Sequence, residues 1–178
     1  MEHQKRNIIK ITLMFVLVLT AILLVLSYFF SLGKVNGSSM ANTLKAGDLA
    51  FVINNRDAFR NKPERGDIIS FESPVFDGFY DVKRVIGIPG DGIKIESGKV
   101  YLNGEELKED YIKGIRTVLE KNQESHWVVP EGKVFVLGDN REKGASMDSR
   151  SYGFIDIGDI EGYVKAILYP EDRMGLLK

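Results

Sequence analysis

The sequence predicts a mainly β fold: an antiparallel β-sheet domain with a small inserted β-hairpin module, preceded by one N-terminal transmembrane α-helix. Three observations carry that reading. An uninterrupted apolar run lies near the N-terminus, short β-rich runs separated by glycine turns follow from Leu49 onward, and an Asn-Gly pair stands between two of the later runs.

Residues 11–30 (ITLMFVLVLTAILLVLSYFF) carry no charge, and about 20 residues is what a helix needs to cross roughly 30 Å of hydrocarbon. A cleaved secretory signal is the rival, because Ser31-Leu32-Gly33 has the small-x-small look of a cleavage site. A signal's apolar core is usually only ~7–15 residues, so residues 11–31 are read as an anchor. Lys5, Arg6 and Lys10 precede it. The positive-inside rule then keeps residues 1–10 cytoplasmic and places everything after Phe30 outside.

From Leu49 the pattern turns to strands: Leu49 to Ile53, Asp67 to Phe71, Val82 to Ile88, Val134 to Leu137, and a last one at Ala166 to Tyr169, ended by Pro170. Gly47-Asp48, Gly66-Asp67 and Gly158-Asp159 mark the turns between them. Asn103-Gly104 after Val100-Tyr101-Leu102 is a hairpin signal, since both central residues of that turn take positive φ. The polar stretch from Glu105 to Glu124 reads as loop-rich. Residues 35–90 and 128–170 are thus expected to form one β assembly, with 91–127 inserted between them.

Composition narrows the function. Across 178 residues the formal net charge is −1 and 44% of residues are apolar. No basic excess of the kind that phosphate binding needs is present, so no nucleic-acid partner is expected. Cysteine is absent, which removes disulfides and thiolate metal sites without settling the compartment.

Two residues carry candidate chemistry. Gly37 to Leu44 packs small residues around Ser39 just past the apolar run, and a serine hydroxyl needs an activating base to attack. The two histidines, His3 and His126, suit that task poorly: the first lies across the membrane from Ser39 and the second in a polar, loop-like run. Lys83 is the better base, a lone lysine within an apolar strand pattern. Burial disfavours the ammonium and can lower its pKa by roughly 3–5 units. Alone, Ser39 would read as a linker serine and Lys83 as a solvated one.

Taken together, Ser39-Met40, Gly66-Asp67-Ile68-Ile69, the Lys83-Arg84 strand with Gly87-Ile88-Pro89-Gly90-Asp91, Gly138-Asp139-Asn140-Arg141, and Ser146-Met147-Asp148-Ser149-Arg150 resemble the successive boxes of bacterial type I signal peptidases, in the short, Gram-positive-like form. The resemblance runs to about Gly153. It implies a membrane-bound serine endopeptidase that removes signal peptides after small residues with a Ser39/Lys83 dyad, monomeric, needing no cofactor and no metal, its partners being signal peptides and the lipid bilayer. It also implies that Ser146 orients the lysine amine, that Asp148 and Arg150 form an ion pair behind the site, and that Asp139, Asn140 and Arg141 act as scaffold. Gly37, Ser38, Met40 and Val82 are the implied substrate contacts, with extended substrate along Val35–Ser38 and Asp81–Val82.

The sequence departs from the family pattern in four places. Glycine stands at 37, where some relatives carry an oxyanion-binding serine, and asparagine at 42, where proline is usual, which would loosen the turn. Asp81 occupies the place of a tyrosine, with Tyr80 one position early, and a carboxylate facing Lys83 would raise its pKa. Two extra residues lengthen the loop before Ser146. Asp139, Asn140 and Asp148 could alternatively bind a metal, and Phe76, Phe79 and Tyr80 are either core or a membrane-facing rim. The competing functions are an inactive relative or anchored β-domain that binds exported chains, and a cytosolic self-cleaving repressor, which would need a DNA-binding domain where the apolar run stands.

Overall fold

A computed structural model of the chain describes residues 2–55, 62–114, 116–119 and 125–177. The elements are α1 (Glu2–Phe29), β1 (Phe30–Lys34), β2 (Leu49–Asn54), β3 (Ile68–Glu72), β4 (Tyr80–Gly87), β5 (Gly92–Glu96), β6 (Lys99–Leu102), β7 (Glu105–Glu106), β8 (His126–Val128), β9 (Lys133–Leu137), α2 (Ser149–Tyr152), β10 (Ile155–Asp156), β11 (Ile160–Tyr169) and β12 (Gly175–Leu176). Each strand pairing is antiparallel. One sheet runs β1-β2-β11-β3-β4-β9-β10 with β12 beside β11, and the other runs β7-β6-β5-β8.

Helix α1 has no buried residue and rises roughly 42 Å at 1.5 Å per residue. It is long and apolar enough to cross a membrane. Its bounds differ from the apolar run at both ends: Glu2 to Lys10 continue the helix toward the N-terminus, and Phe30 and Ser31 leave it to begin β1. That strand pairs with β2 over its whole length, from Phe30↔Ile53 to Lys34↔Leu49. The main sheet therefore starts at Phe30, not at residue 35. The last expected strand is longer than Ala166–Tyr169 and is not the last, since β12 returns past Pro170 to pair with Ala166 and Ile167.

Three apolar clusters hold the sheets. Ile69, Phe71, Val85, Val134 and Val136 pack on one face of the main sheet with Tyr163. Met40, Leu44, Ala50, Val52, Ile68 and Val164 fill the other, beneath the loop that follows β1. A third joins the insertion to the body through Ile93, Ile95, Val100 and Trp127 against Phe135 and Leu137. Trp127 is thereby a packing residue, while His126 is exposed.

The insertion is a four-stranded sheet whose β6–β7 hairpin turns at Asn103 (φ 52) and Gly104 (φ 88), the double positive φ the Asn-Gly pair predicts. Of the stretch from Glu105 to Glu124, positions 115 and 120–124 lie outside the described residues. The rest forms β7 and an irregular path that touches the body at a bridge between Lys113 and Asn140.

Candidate active site

Ser39 sits in a turn clamped from two sides. Ala41 N–H donates to the Ser38 carbonyl at 3.0 Å and Leu44 N–H to the Met40 carbonyl at 2.8 Å, while Met40 and Leu44 are plugged into the core at 2% and 0% exposure. Asn140 holds the turn from outside. Its N–H donates to the Ser39 carbonyl at 2.8 Å and its Nδ2 to the Ser38 carbonyl at 3.0 Å.

Lys83 comes from β4, the strand between β3 and β9, and its side chain lies on the face of Ile69, Phe71 and Val85. Nζ is 3.2 Å from Ser39 Oγ and 3.3 Å from Asp81 Oδ1. Asp81 is fixed in turn, because Ser73 Oγ donates to its Oδ2 at 3.1 Å. With its side chain 2% exposed, the amine loses hydration, which pushes its pKa below the ordinary lysine value against the opposing pull of the Asp81 and Asp148 carboxylates.

Arg84, the neighbour of Lys83 on β4, is buried as well. On the opposite face of β4 it donates through Nε and Nη2 to both oxygens of Asp139, at 2.9 and 2.8 Å, and its guanidinium lies 4.0 Å from the Tyr111 ring centroid. The strand is interior to the sheet and covered on both sides, so alternation sorts its residues between two buried faces. Asp139 also accepts from Thr43 Oγ1 at 2.5 Å, tying the Ser39 turn to the same pair. Arg141 pairs with Glu109 of the insertion.

Ser146 is near the site but its Oγ donates to Asp148 Oδ2 at 2.8 Å. The partners of Lys83 Nζ are Ser39 and Asp81, so the expected Ser146–lysine contact is replaced by one to Asp148. Asp148, fully buried, also accepts from Gly138 N–H at 3.1 Å and from Arg150 Nε and Nη2, both at 2.7 Å. That bidentate fork is the ion pair anticipated for these residues. Asp139 and Asp148 are each occupied by an arginine, and no cluster of three metal-ligating side chains occurs among the described residues.

A cleft of about 880 Å³ opens beside Ser39. It is lined by Leu32 to Gly37 on one side and Phe79 to Val82 on the other, with Met40, Ala50 and Val164 at its base. Gly37, Met40 and Val82 thus face it, Met40 as floor. Ser38 does not line it. An added Cβ at Gly37 would meet nothing within 4 Å, so the chain itself does not demand glycine there, and the space is open to whatever enters the cleft. Phe76, Phe79 and Tyr80 are exposed at 56%, 69% and 64%, which removes the core reading for them. Tyr80 points away from Lys83, one position out of phase. Sequence reasoning missed the Asn42 and Ser73 contacts: Asn42 Nδ2 donates to the Tyr111 carbonyl at 2.9 Å.

A model of the family described as "Signal peptidase, peptidase S26" matches residues 6–169. The chain is 31% identical over 179 residues to signal peptidase I S of Bacillus subtilis (strain 168), covering 96% of this chain and 94% of that protein. It is 35% identical over 151 residues to signal peptidase IB of Staphylococcus aureus (strain N315), covering 76% of each. A crystal structure of a signal peptidase I from Enterococcus faecalis V583 is 36% identical, with a TM-score of 0.46 over 58% of this chain and 97% of that one.

Proposed function

Since this chain belongs to the signal peptidase family, peptidase S26, and is therefore a signal-peptide-cleaving peptidase, we propose that it cuts with Ser39 as nucleophile and Lys83 as general base. The observation that carries the dyad is the 3.2 Å approach of Lys83 Nζ to Ser39 Oγ at a lysine whose burial favours the neutral amine.

In the first step the neutral amine accepts the Ser39 proton as Oγ bonds to the scissile carbonyl carbon. The oxyanion is met by the Ser39 N–H, which has no internal acceptor among the described residues, as such donors must be if they are to stabilise developing charge. Collapse breaks the C–N bond, and the Lys83 ammonium gives its proton to the leaving amine. Water, deprotonated by the same Nζ, then attacks the Ser39 ester, and as the ester C–O bond breaks the Lys83 ammonium returns the proton to Ser39 Oγ, freeing the acyl product and restoring both residues. Ser146, Asp148 and Arg150 act behind this pair: the carboxylate fixed by Arg150 and Ser146 contributes charge near the lysine and holds Gly138 under the Ser39 turn.

Substrate lies extended in the cleft, pairing with the backbone at residues 35–37 and 81–82 as an added strand. The apolar floor of Met40, Ala50 and Val164 accepts small side chains. The N-terminus faces the cytoplasm and the sheet domain lies outside, with Phe76 and Phe79 at the bilayer interface, where aromatics are favoured. Both dyad residues and both cleft walls belong to one chain, so the proposed cut needs no second copy, and the protein is read as a monomer. The body (35–90 and 128–170) and the insertion (91–127) are proposed as its two structural units.

The 3.3 Å Lys83–Asp81 contact favours a second reading, in which a stabilised ammonium leaves a binding protein without activity. Incubating the detergent-solubilised chain with a preprotein separates the two. Cleavage that falls by roughly 10³-fold or more in Ser39→Ala and in Lys83→Ala supports the dyad. Equal rates in the variants would remove it, and an inert parent from neutral to alkaline pH would favour the binder.

A further inference from the structure

Helix α1 passes into β1 with no linker. The last four carbonyls of a helix lack internal partners, and here Asn54 of β2 reaches them: its Nδ2 donates to the Tyr28 carbonyl at 3.1 Å, with the Ser27 carbonyl farther off at 3.4 Å. Its Oδ1 accepts from Ser31 Oγ, the second residue of β1, at 2.7 Å. One side chain thus grips both sides of the junction. Its backbone is set in the ladder opposite Gly162 of β11, where an added Cβ would meet the Ile53 carbonyl oxygen at 2.8 Å, so the strands pass closely and leave Asn54 little play. Phe30 stacks on Phe51 at 5.4 Å just beyond.

The consequence concerns distance. Ser39 follows Phe29 by ten residues, at most roughly 36 Å of chain, and β1 is zipped to β2 along its length. The cleft begins at Ser27 and Ser31 beside the helix end and runs to Ser39. A signal peptide presents an apolar segment followed closely by a small-residue cleavage site. Its apolar part would lie in the bilayer next to α1, and its cleavage site would enter the cleft at a height that the junction sets.

We propose that Asn54 is a positioning residue that locks the membrane helix to the sheet and so fixes where along a preprotein the cut falls, measured from the end of its apolar segment. The inference rests on the reading of Ser39 as nucleophile.

The test uses the full chain in phosphatidylcholine and phosphatidylglycerol vesicles, with a preprotein carrying two small-x-small sites a few residues apart. Product ratios are read by mass spectrometry, and a short soluble peptide spanning one site serves as a second substrate. Asn54→Ala, and separately a Gly-Ser-Gly-Ser insertion between Phe29 and Phe30, are expected to raise the minor site's share about fivefold, the effect of losing a side-chain hydrogen bond. Both should leave cleavage of the short peptide within about twofold. Asn54→Asp, which lacks the amide donor, should behave as Asn54→Ala. An unchanged ratio in all three variants overturns the inference. So does an equal loss on both substrates, which would mean that Asn54 merely supports the sheet. If the parent cuts neither substrate, the dyad reading fails instead, and the two failures are thereby distinct.

Discussion

Lys83 Nζ stands 3.3 Å from Asp81 Oδ1 and 3.2 Å from Ser39 Oγ, so the amine is shared between a carboxylate that favours its charge and a hydroxyl that, in the proposed dyad, needs it neutral. Burial is the larger influence and holds the lysine below its ordinary value. Activity should therefore rise with pH as Lys83 loses its proton. Removing the carboxylate in Asp81→Asn takes away an opposing pull, so the rise should move to lower pH. The pH profile of kcat/KM for parent and variant measures this; a profile that stays in place or moves to higher pH would show that Asp81 does not act on the amine electrostatically.

The same burial has a cost to the fold. A lysine whose folded pKa is lowered destabilises the folded state wherever it would carry its charge in water, because the fold must then either desolvate the ammonium or give up its proton. The penalty is full below the folded pKa, shrinks as pH rises from that value toward the unfolded one, and vanishes above it. Replacing Lys83 by Met, of similar length and apolar, should raise the thermal midpoint by several degrees at neutral pH, since ~1 kcal/mol corresponds to about 2–4 °C for a domain of this size. The gain should narrow on titration toward pH 10, and the variant should be inactive. Calorimetry across pH decides it, and a variant less stable than the parent at neutral pH would count against a strained lysine.

The parts of this structure written in local pattern were legible, and those written in distant pairing were not. β2, β3, β4 and β9 announce themselves through β-branched and aromatic runs between glycine turns, and Ser39 with Lys83 stood out as a serine among small residues and a lysine in an apolar strand. β1 did not, because Phe30 closes the apolar run, Ser31 to Lys34 carries no strand pattern, and the segment becomes a strand only by pairing with β2. β12 has two residues and no pattern to read. Nothing in its local pattern marks Arg84 as buried, because that depends on Asp139, 55 positions away, being brought beneath it. The family resemblance pairs Ser146 with the lysine, yet its hydroxyl finds Asp148 two residues on, the shorter path for a turn serine.

Asn42 reverses a sequence expectation. It holds φ 100, a conformation that proline, locked near −65°, cannot take, and its side chain ties the turn to Tyr111 of the insertion. Far from loosening the Ser39 loop, asparagine fastens it. Asn42→Pro should cost at least ~2 kcal/mol of stability, whereas Asn42→Gly, which relieves the positive φ but loses the hydrogen bond, should stay within about 1 kcal/mol of the parent. Urea unfolding of both variants provides the comparison, and a proline variant as stable as the parent would mean that the turn adopts another conformation.

Gly138 offers the sharpest test of how the site is assembled. It lies at the end of β9, its N–H donating to Asp148, and a Cβ added there would come within 2.5 Å of the Ser39 carbonyl oxygen while also colliding with Ser146. Its neighbours Asp139 and Asn140 are bound to the Ser39 turn through Thr43 Oγ1 and the Ser39 carbonyl, so the turn cannot yield independently. Gly138→Ala must push Ser39, the Asp148 support, or both. Overpacking of this kind costs typically 1–3 kcal/mol, and a displacement of about 1 Å at the reacting atoms costs on the order of 10²-fold in rate. The expected outcome is a kcat/KM at least about 10²-fold lower, with a urea midpoint reduced but a cooperative transition retained. A variant that unfolds earlier yet cuts at the parental rate would show that the strain is absorbed away from Ser39, and that the closeness of Gly138 to the Ser39 carbonyl is not what aligns its hydroxyl with Lys83.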